Sequence, residues 1–181
     1  MPQSFDLNDY SCPNASLPQY LWRVGHRGSQ TRRDRDNWDL LAADNTRLIS
    51  SKSNLKRSAE DHFDWRCREA SCFLSVFESE RHALSWAEAH VVNSWASRYE
   101  VTVSIIDTKK LPADTCVFDA AALSHRLAID HQYSTDELLF LHRIPAQSFI
   151  NLRSLGKIEE QSRSKLVDVG TENIFLGLTL Y

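Results

Sequence analysis

The sequence predicts an α+β fold, and two observations favour it. Short runs rich in β-branched and aromatic residues recur along the chain, and one long amphipathic segment has helical spacing. The strands and helices do not alternate regularly, as they would in a parallel α/β protein. The length of 181 residues suits one domain. We therefore predict an irregular, proline-containing arm over residues 1–18 and a single domain over residues 19–181.

Strands are predicted wherever a short apolar or alternating run is bounded by turn-forming residues. In chain order these runs cover residues 20–24, 73–77, 99–107, 116–118, 137–144, 149–152 and 174–181. Along residues 99–107 the apolar Val101, Val103 and Ile105 alternate with polar residues, which predicts one buried face. Residues 137–144 are apolar on both faces, which is typical of a central strand covered on two sides.

The clearest helix begins just after the strand at residues 73–77. Ser79 can cap its N-terminus, and Glu80 lies in the positive first turn. Apolar residues then recur at helical spacing and define one buried face, and the helix is predicted to end near Arg98. The residues of that face are Leu84, Ala87, Val91 and Trp95.

Two weaker helices are also predicted. The first covers residues 57–68, with Ala59 and Phe63 facing inward together with Trp65 or Cys67. The second covers residues 121–127. The charged residues 157–165 that follow the last internal strand are predicted to form a hairpin or loop.

Composition and charge disfavour a basic nucleic-acid-binding protein, a disulfide scaffold and a membrane protein. The net charge of −3 and the pI of about 6.2 give no basic footprint for non-specific nucleic-acid binding, although a local patch could still bind one. The four cysteines favour reduced thiols over a disulfide scaffold, and no Cys/His cluster has the spacing of a metal site. No signal peptide or membrane-spanning segment is predicted. We expect a soluble protein without a membrane partner that acts in the cytoplasm or nucleus, or is delivered into a host cell.

One charged residue, Arg23, lies inside the first apolar strand. It shares a face with Leu21, because side chains alternate along a strand. If Leu21 is buried, the guanidinium is buried too, and it then needs an acid or an anion as partner. The alternative is an edge-strand arginine whose head reaches water.

Ser75 and Glu137 are polar residues in two other apolar strands. Ser75 lies on the face of Phe73 and Phe77, where its hydroxyl needs a partner, such as a neighbouring backbone group. Glu137 follows Asp136 at the start of its strand, so either acid faces a protected cleft or both form a solvated strand end. Taken singly, each residue has a purely structural explanation.

The order of these residues along the chain resembles the mono-ADP-ribosyltransferase superfamily, in its Arg-Ser-Glu branch. Trp22-Arg23 is similar to the aromatic-Arg pair on that branch's first strand, and Phe73-Leu74-Ser75 before a helix is similar to its Ser strand. The segment STDELLFLHRIPAQSFI resembles the late strand that begins with Glu and ends in an Ile-Pro-like turn. The layout is similar to that of toxin-like or effector-like transferases of the pierisin and scabin type, and of fungal domains with the same order. It spans roughly residues 20–152.

The resemblance implies a fold and an activity. The fold is an ADP-ribosyltransferase-like arrangement of two small antiparallel or mixed β-sheets, flanked by helices and split around a cleft that holds NAD. Such enzymes cleave the nicotinamide–ribose bond of NAD, their substrate, while a carboxylate stabilises the positive charge that develops on the ribose. By resemblance that carboxylate is Glu137, and Arg23 binds the dinucleotide phosphates. Main-chain groups near Val24, with His26 beside them, hold the nicotinamide amide. Ser75 is expected to hydrogen-bond Arg23 and Glu137.

The acceptor of the ADP-ribose is left open. Many members of the superfamily carry Glu or Gln two residues before the catalytic Glu, where this chain has Thr135, which cannot act as a general base at neutral pH. An unknown protein or nucleic acid, or water, remains as the acceptor. The preceding loop, residues 125–135, corresponds to the family's recognition loop, with His131 and Tyr133 as expected contacts. The alternative function is a catalytically degenerate transferase fold that binds a protein partner.

Overall fold

The computed structural model describes residues 5–64, 66–130 and 136–162, and within them the fold is α+β, as predicted. Two antiparallel sheets are formed, one of six strands and one of three. The strands are β1 (Tyr20–Gly25), β2 (Arg32–Arg33), β3 (Leu40–Leu41), β4 (Phe73–Phe77), β5 (Thr102–Asp107), β6 (Val117–Asp119), β7 (Glu137–Leu141), β8 (Arg143–Ile144) and β9 (Phe149–Ser154). Their order is β6-β7-β4-β1-β5-β9 in the large sheet and β2-β3-β8 in the small one.

The sheets are flanked by the helices α1 (Lys52–Phe63), α2 (Glu80–Ser94) and α3 (Ala120–Leu127). Each begins at a side chain that accepts a hydrogen bond from a first-turn backbone N–H, which satisfies one of the unpaired donors of a helix start. These caps are Ser51, Ser79 and Asp119. The predicted cap at Ser79 is therefore confirmed. No helix among the described residues is both long and apolar enough to span a membrane.

The central strands β4 and β7 are covered on both faces. One face of them, with Leu74, Val76, Leu138 and Phe140, packs toward the small sheet around Ile144. The opposite face packs against the helices in two clusters, one built with α1 and α3 and one built with α2. The prediction that the strand at residue 137 is central and covered on two sides is confirmed, because β7 lies between β6 and β4.

The predicted strand over residues 137–144 is divided between the two sheets. β7 ends at Leu141, and His142 then adopts a left-handed backbone with φ of 65°. The His142 N–H donates to the carbonyl of Cys72, and its carbonyl accepts from the N–H of Ala42, at 2.8 Å each. Residues 143–144 continue as β8 and pair with β3. The sequence predicts one strand here, but the chain bends at His142 to join a second sheet.

Two helix predictions are corrected in their bounds. The helix predicted at residues 57–68 begins at Lys52 and ends at Phe63. Ala59 and Phe63 are buried, but Cys67 lies beyond the helix end, and Trp65 lies outside the described residues. The helix that was predicted to end near Arg98 ends at Ser94.

Trp95 stops α2 and does not belong to its buried face. It takes a left-handed backbone with φ of 55°, and the residue is 94% exposed. The fully buried residues of the helix are Ala83 and Ala87, with Leu84 and Val91 partly buried. Because its backbone is left-handed, Trp95 does not continue the helix, and its side chain is not part of the helical face.

Two further predictions differ from the structure. Residues 155–162 are helical rather than a loop, because Leu155 and Ile158, three residues apart, pack into the cluster beside α2. In β5, Ile106 rather than Ile105 lies in the core, opposite the buried Leu21 of β1. The register shift at this point places the extra residue, Ile150, in β9. The predicted strand at residues 174–181 lies outside the described residues.

Residues 5–18 are irregular and lie against the body of the domain. They contain two single turns of 3-10 helix, Leu7–Asp9 and Asn14–Ser16. The N–H of Cys12 donates to the carbonyl of Val117 at 2.7 Å. Phe5, Leu7 and Tyr10 pack against the cluster formed with α1 and α3.

Candidate functional site

The large sheet opens between its two middle strands. β1 pairs with β5 along six residue pairs, and β4 pairs with β7 along five, but β1 and β4 pair only at Trp22 and Phe77. Beyond that pair the two strands separate. Arg23 spans the opening, since its Nη1 donates to the backbone carbonyl of Ser75 at 2.6 Å. A side-chain donor thus connects the two halves of the sheet where the ladder has ended.

A cavity of about 830 Å³ lies at this opening. Its size falls within the range of sites for small molecules and cofactors. The predicted site residues that line it are Arg23, Val24 and His26 at β1, Ser75 on β4 and Glu137 on β7. His62 of α1 and Trp86 of α2 line it as well. The predicted recognition-loop residues Thr135, Tyr133 and His131 lie outside the described residues.

Arg23 is held as a desolvated cation. Burial lowers the pKa of its guanidinium to about 10, and the negative charge of Glu137 acts in the opposite direction. The group therefore remains protonated at neutral pH. Its Nε is buried and has no hydrogen-bond partner among the described residues. Leu21, which shares the strand face of Arg23, is fully buried, and Glu137 is the acid whose charge acts on the guanidinium.

The two neighbouring acids at the start of β7 have different surroundings. The carboxylate of Asp136 contacts Nδ1 of His82 on α2, and its carbonyl accepts from the N–H of Glu78 at 2.9 Å. Asp136 is thus bound to the framework. Glu137 is half-buried, pairs with Phe77 across the sheet and lines the cavity.

The partner of the Ser75 hydroxyl differs from the expected one. Ser75 Oγ lies 2.9 Å from Nε2 of His62, and Arg23 reaches the main-chain carbonyl of Ser75 rather than its hydroxyl. Nδ1 of the same imidazole lies 2.7 Å from Oγ of Ser71. Burial, and then the charge of Arg23, lower the pKa of His62 to about 4. The imidazole is therefore neutral at physiological pH.

Sequence reasoning missed His62. The signal was present, because Leu55, Ala59 and His62 follow one another at spacings of four and three residues, which places all three on one face of α1. Leu55 and Ala59 are fully buried. A histidine on a buried helix face usually needs hydrogen-bond partners, and here they are Ser71 and Ser75.

His26 belongs to a group of stacked rings beside the cavity. Its ring centroid lies 3.9 Å from that of His90, and His90 stacks on Trp86 with centroids 5.4 Å apart and ring planes within 4°. Burial, then the neighbouring His90 and then Arg23 lower the pKa of His26 to about 4. Trp86 and Phe77 present aromatic surface to the cavity, which suits a planar heteroaromatic ring.

The cavity carries more acidic than basic side chains. Four carboxylates (Asp61, Asp64, Glu69 and Glu137) and two guanidiniums (Arg23 and Arg66) line it. Asp64 is paired with Arg66 at 3.1 Å, and Asp61 lies 3.9 Å from both Arg47 and Arg57. No group of three or more His, Cys, Asp or Glu side chains in the described part of the chain is arranged to hold a metal ion.

A protein-family model described as a domain of unknown function, DUF7587, matches residues 16–158, more than three quarters of the chain. The chain belongs to the DUF7587 family. No curated protein matches it. The DUF7587 match runs from just before β1 to the helical residues after β9. The cavity and the residues that line it are therefore part of the family domain itself.

The DUF7587 cavity combines three chemical features. Arg23 is a fixed cation suited to an anionic group, and Glu137 is a carboxylate within reach of its charge. Trp86 and Phe77 offer ring faces. A ligand that carries a phosphate, a ring and a centre that becomes positive during reaction would use all three.

Proposed function

We propose that this DUF7587 domain is an NAD-dependent mono-ADP-ribosyltransferase. It cleaves the bond between nicotinamide and ribose and transfers the ADP-ribose to an unknown protein or nucleic acid, or to water. One observation carries the proposal. Arg23, Ser75 and Glu137, which three short sequence motifs single out, stand on three neighbouring strands and line one cavity.

The division of the large sheet supports an ADP-ribosyltransferase-like fold as part of this proposal. Because β1 and β4 meet at a single residue pair, β1, β5 and β9 form one half of the sheet, and β4, β7 and β6 form the other. The cavity lies at the junction of the halves. NAD would bind at this junction, with a half-sheet on either side.

The chemistry requires a carboxylate near the reacting ribose. When the C–N bond breaks, its electron pair leaves with nicotinamide, and positive charge develops on the ribose. A carboxylate fixed beside that charge stabilises the transition state, and more strongly in a desolvated site than in water. Glu137 supplies this carboxylate in the proposal. The acceptor then adds its lone pair to the ribose carbon and loses its proton to solvent.

The other lining residues bind the two ends of the dinucleotide. The guanidinium of Arg23 donates one N–H to Ser75 and carries further N–H groups for the diphosphate. The main chain at Val24 holds the nicotinamide amide, and the ring faces of Phe77 and Trp86 lie along the same cavity. These interactions fix the scissile bond relative to Glu137.

The nature of the acceptor follows from Thr135 in the sequence. A threonine does not remove a proton from a guanidinium or an amine at neutral pH. Transfer to arginine side chains therefore lacks its usual base. Water, or an acceptor that ionises without assistance, fits the chain better, so NAD glycohydrolase activity belongs to the proposal.

A second candidate is a catalytically degenerate transferase fold that binds a protein partner. The charge of the cavity favours it, because four carboxylates and two guanidiniums line a space that would have to accept an anionic diphosphate. A thermal-shift titration with NAD separates the two candidates, since a ligand that binds only the folded state raises the melting temperature. No shift at millimolar NAD would favour the second candidate.

The test of the first candidate is release of nicotinamide from NAD, followed by chromatography, with a cell lysate as the source of acceptors. We expect release by the wild type and a loss of about 100-fold or more in Glu137→Ala, the scale at which single groups that stabilise transition-state charge act. Glu80→Ala, an exposed acid on α2, is the matched control. No release by the wild type rejects the enzyme, and full activity of Glu137→Ala rejects the assigned site.

A further inference from the structure

We infer that His62 is a positioning residue that fixes the direction of the Ser75 hydroxyl, so that its hydrogen faces the cavity. The catalytic consequence of this inference rests on the proposed function. The hydrogen-bond direction itself does not, and it can be measured without any activity.

His62 lies in the last turn of α1 and is held by contacts at both ring nitrogens and with two aromatic rings. Its two ring nitrogens contact Ser71 Oγ at 2.7 Å and Ser75 Oγ at 2.9 Å. Edge-to-face contacts with Phe63 and Phe73, with centroids 5.8 and 5.6 Å away, fix the plane of the ring. The ring is therefore clamped between two hydroxyls and two aromatic side chains.

The backbone sets the direction of the hydrogen bonds. The N–H of Phe73 donates to Ser71 Oγ at 3.1 Å, so this oxygen already acts as an acceptor. The Ser71 hydrogen then has Nδ1 of His62 as its acceptor, the acceptor that the described residues offer it. Ser71 Oγ has a second lone pair that could accept from Nδ1–H, but its own hydrogen would then have no acceptor among the described residues. We therefore assign the single hydrogen of the neutral imidazole to Nε2. Nε2–H therefore donates to Ser75 Oγ.

The Ser75 hydroxyl is left with its own hydrogen to donate. Ser75 pairs with Leu139 across the sheet, and Glu137 stands two residues before Leu139 on the same face. Ser75 and Glu137 both line the cavity. A bound hydroxyl of the ligand, or the Glu137 carboxylate, is the acceptor for this hydrogen. With the opposite tautomer Nε2 would be an acceptor, and the Ser75 hydroxyl would donate its hydrogen to the imidazole instead.

Burial and the nearby charge of Arg23 keep His62 neutral. Arg23 faces it from β1, and its positive charge disfavours a second positive charge on the ring. Asp61 and Asp64 flank His62 on its own segment, and Glu137 lies across the cavity. Burial, and then the charge of Arg23, lower the pKa of His62 to about 4. The imidazole therefore keeps a single hydrogen at physiological pH, as the Ser71–His62–Ser75 hydrogen bonds require.

The direct test is a long-range ¹H–¹⁵N spectrum of the full chain, which assigns the hydrogen of each histidine ring. We expect the Nε2–H tautomer for His62. In Ser71→Ala the donor to Nδ1 is lost, and we expect the two tautomers of His62 to become mixed. An Nδ1–H tautomer in the wild type overturns the inference, and so does an unchanged single tautomer in Ser71→Ala.

Variants of His62 test the consequence for catalysis. Glutamine can donate to Ser75 from about the place of Nε2, whereas leucine cannot, and His125→Gln on the exposed face of α3 is the control. For nicotinamide release we expect kcat to fall about 10- to 100-fold in His62→Leu and to recover to within about 5-fold in His62→Gln. The KM for NAD should change less than about 3-fold in either.

The outcomes distinguish a failure of the positioning role of His62 from a failure of the proposed function. Equal losses of kcat in the leucine and glutamine variants, or an effect confined to KM, overturn the positioning role of His62. An inactive wild type rejects the proposed function, while the tautomer spectrum still decides the direction of the Ser71–His62–Ser75 hydrogen bonds.

Discussion

At the scale of single residues, burial decides which groups in the cavity carry charge. It lowers the pKa of Arg23 to about 10, which leaves the guanidinium charged, and the pKa of His62 and His26 to about 4, which leaves both imidazoles neutral. One buried cation therefore acts beside neutral hydrogen-bonding rings. This arrangement suits a site that must attract an anion without titrating near neutral pH.

The lowered pKa of His62 predicts a pH-dependent stability. The folded pKa of about 4 lies below the ordinary value of 6.5, so the unfolded chain binds more protons between these values. Stability is thus fully present above pH 6.5 and is lost as pH falls toward 4. Between pH 7 and pH 5 we expect His62 to contribute a loss of about 2 kcal/mol in the free energy of unfolding.

Urea unfolding at the two pH values measures this loss. In His62→Gln the difference between pH 7 and pH 5 should shrink by about the same amount, because glutamine does not titrate. His125→Gln, in which the replaced ring is exposed, should behave like the wild type. An identical pH dependence in wild type and His62→Gln contradicts the assignment of a buried, neutral imidazole.

At the scale of elements, the bend at His142 joins the two sheets. It separates β7 from β8, and Nε2 of His142 lies 2.9 Å from the carbonyl of Arg47. A left-handed backbone is uncommon for any residue except glycine and is least tolerated by β-branched residues. The sequence gives no turn signal here. The bend persists because β8 gains a partner in β3, a contact distant in sequence.

We expect substitutions at His142 to report this backbone strain. His142→Val should lower the free energy of unfolding by about 2–3 kcal/mol, because a β-branched side chain at φ of 65° adds strain to the lost imidazole contact. His142→Gly relieves the strain as it removes the contact, and should remain within about 1 kcal/mol of the wild type. Chemical denaturation compares the two variants, and equal losses would mean that φ at this residue is not positive.

At the scale of the whole molecule, the sequence predicts the elements better than their arrangement. Short apolar runs located β1, β4, β7 and β9 within about three residues, because those runs are bounded by turn-forming residues. The order of strands in the large sheet could not be predicted. It depends on pairings between distant segments, and the single ladder pair between β1 and β4 cannot be recognised from local sequence periodicity.

In the candidate site, too, the residues within strands could be predicted, but the residues brought in by tertiary packing could not. Arg23, Ser75 and Glu137 could be selected because a polar residue in an apolar strand is conspicuous. His62 and Trp86 could not be assigned to the cavity, since their helices reach it only through tertiary packing. His62 as a partner of the Ser75 hydroxyl could not be predicted for that reason, because it comes from α1 rather than from a neighbouring strand.

The central claim is that NAD binds where the sheet divides, with its diphosphate on Arg23. Calorimetric titration of NAD into the wild type and Arg23→Lys tests it most directly, because lysine keeps the charge but lacks the planar fork of donors. Arg68→Lys, at an exposed arginine that does not line the cavity, is the control. We predict one binding site in the wild type, a Kd at least about 10-fold higher in Arg23→Lys, and no change in Arg68→Lys. Absence of binding at millimolar NAD, or equal affinity in wild type and Arg23→Lys, would contradict the claim.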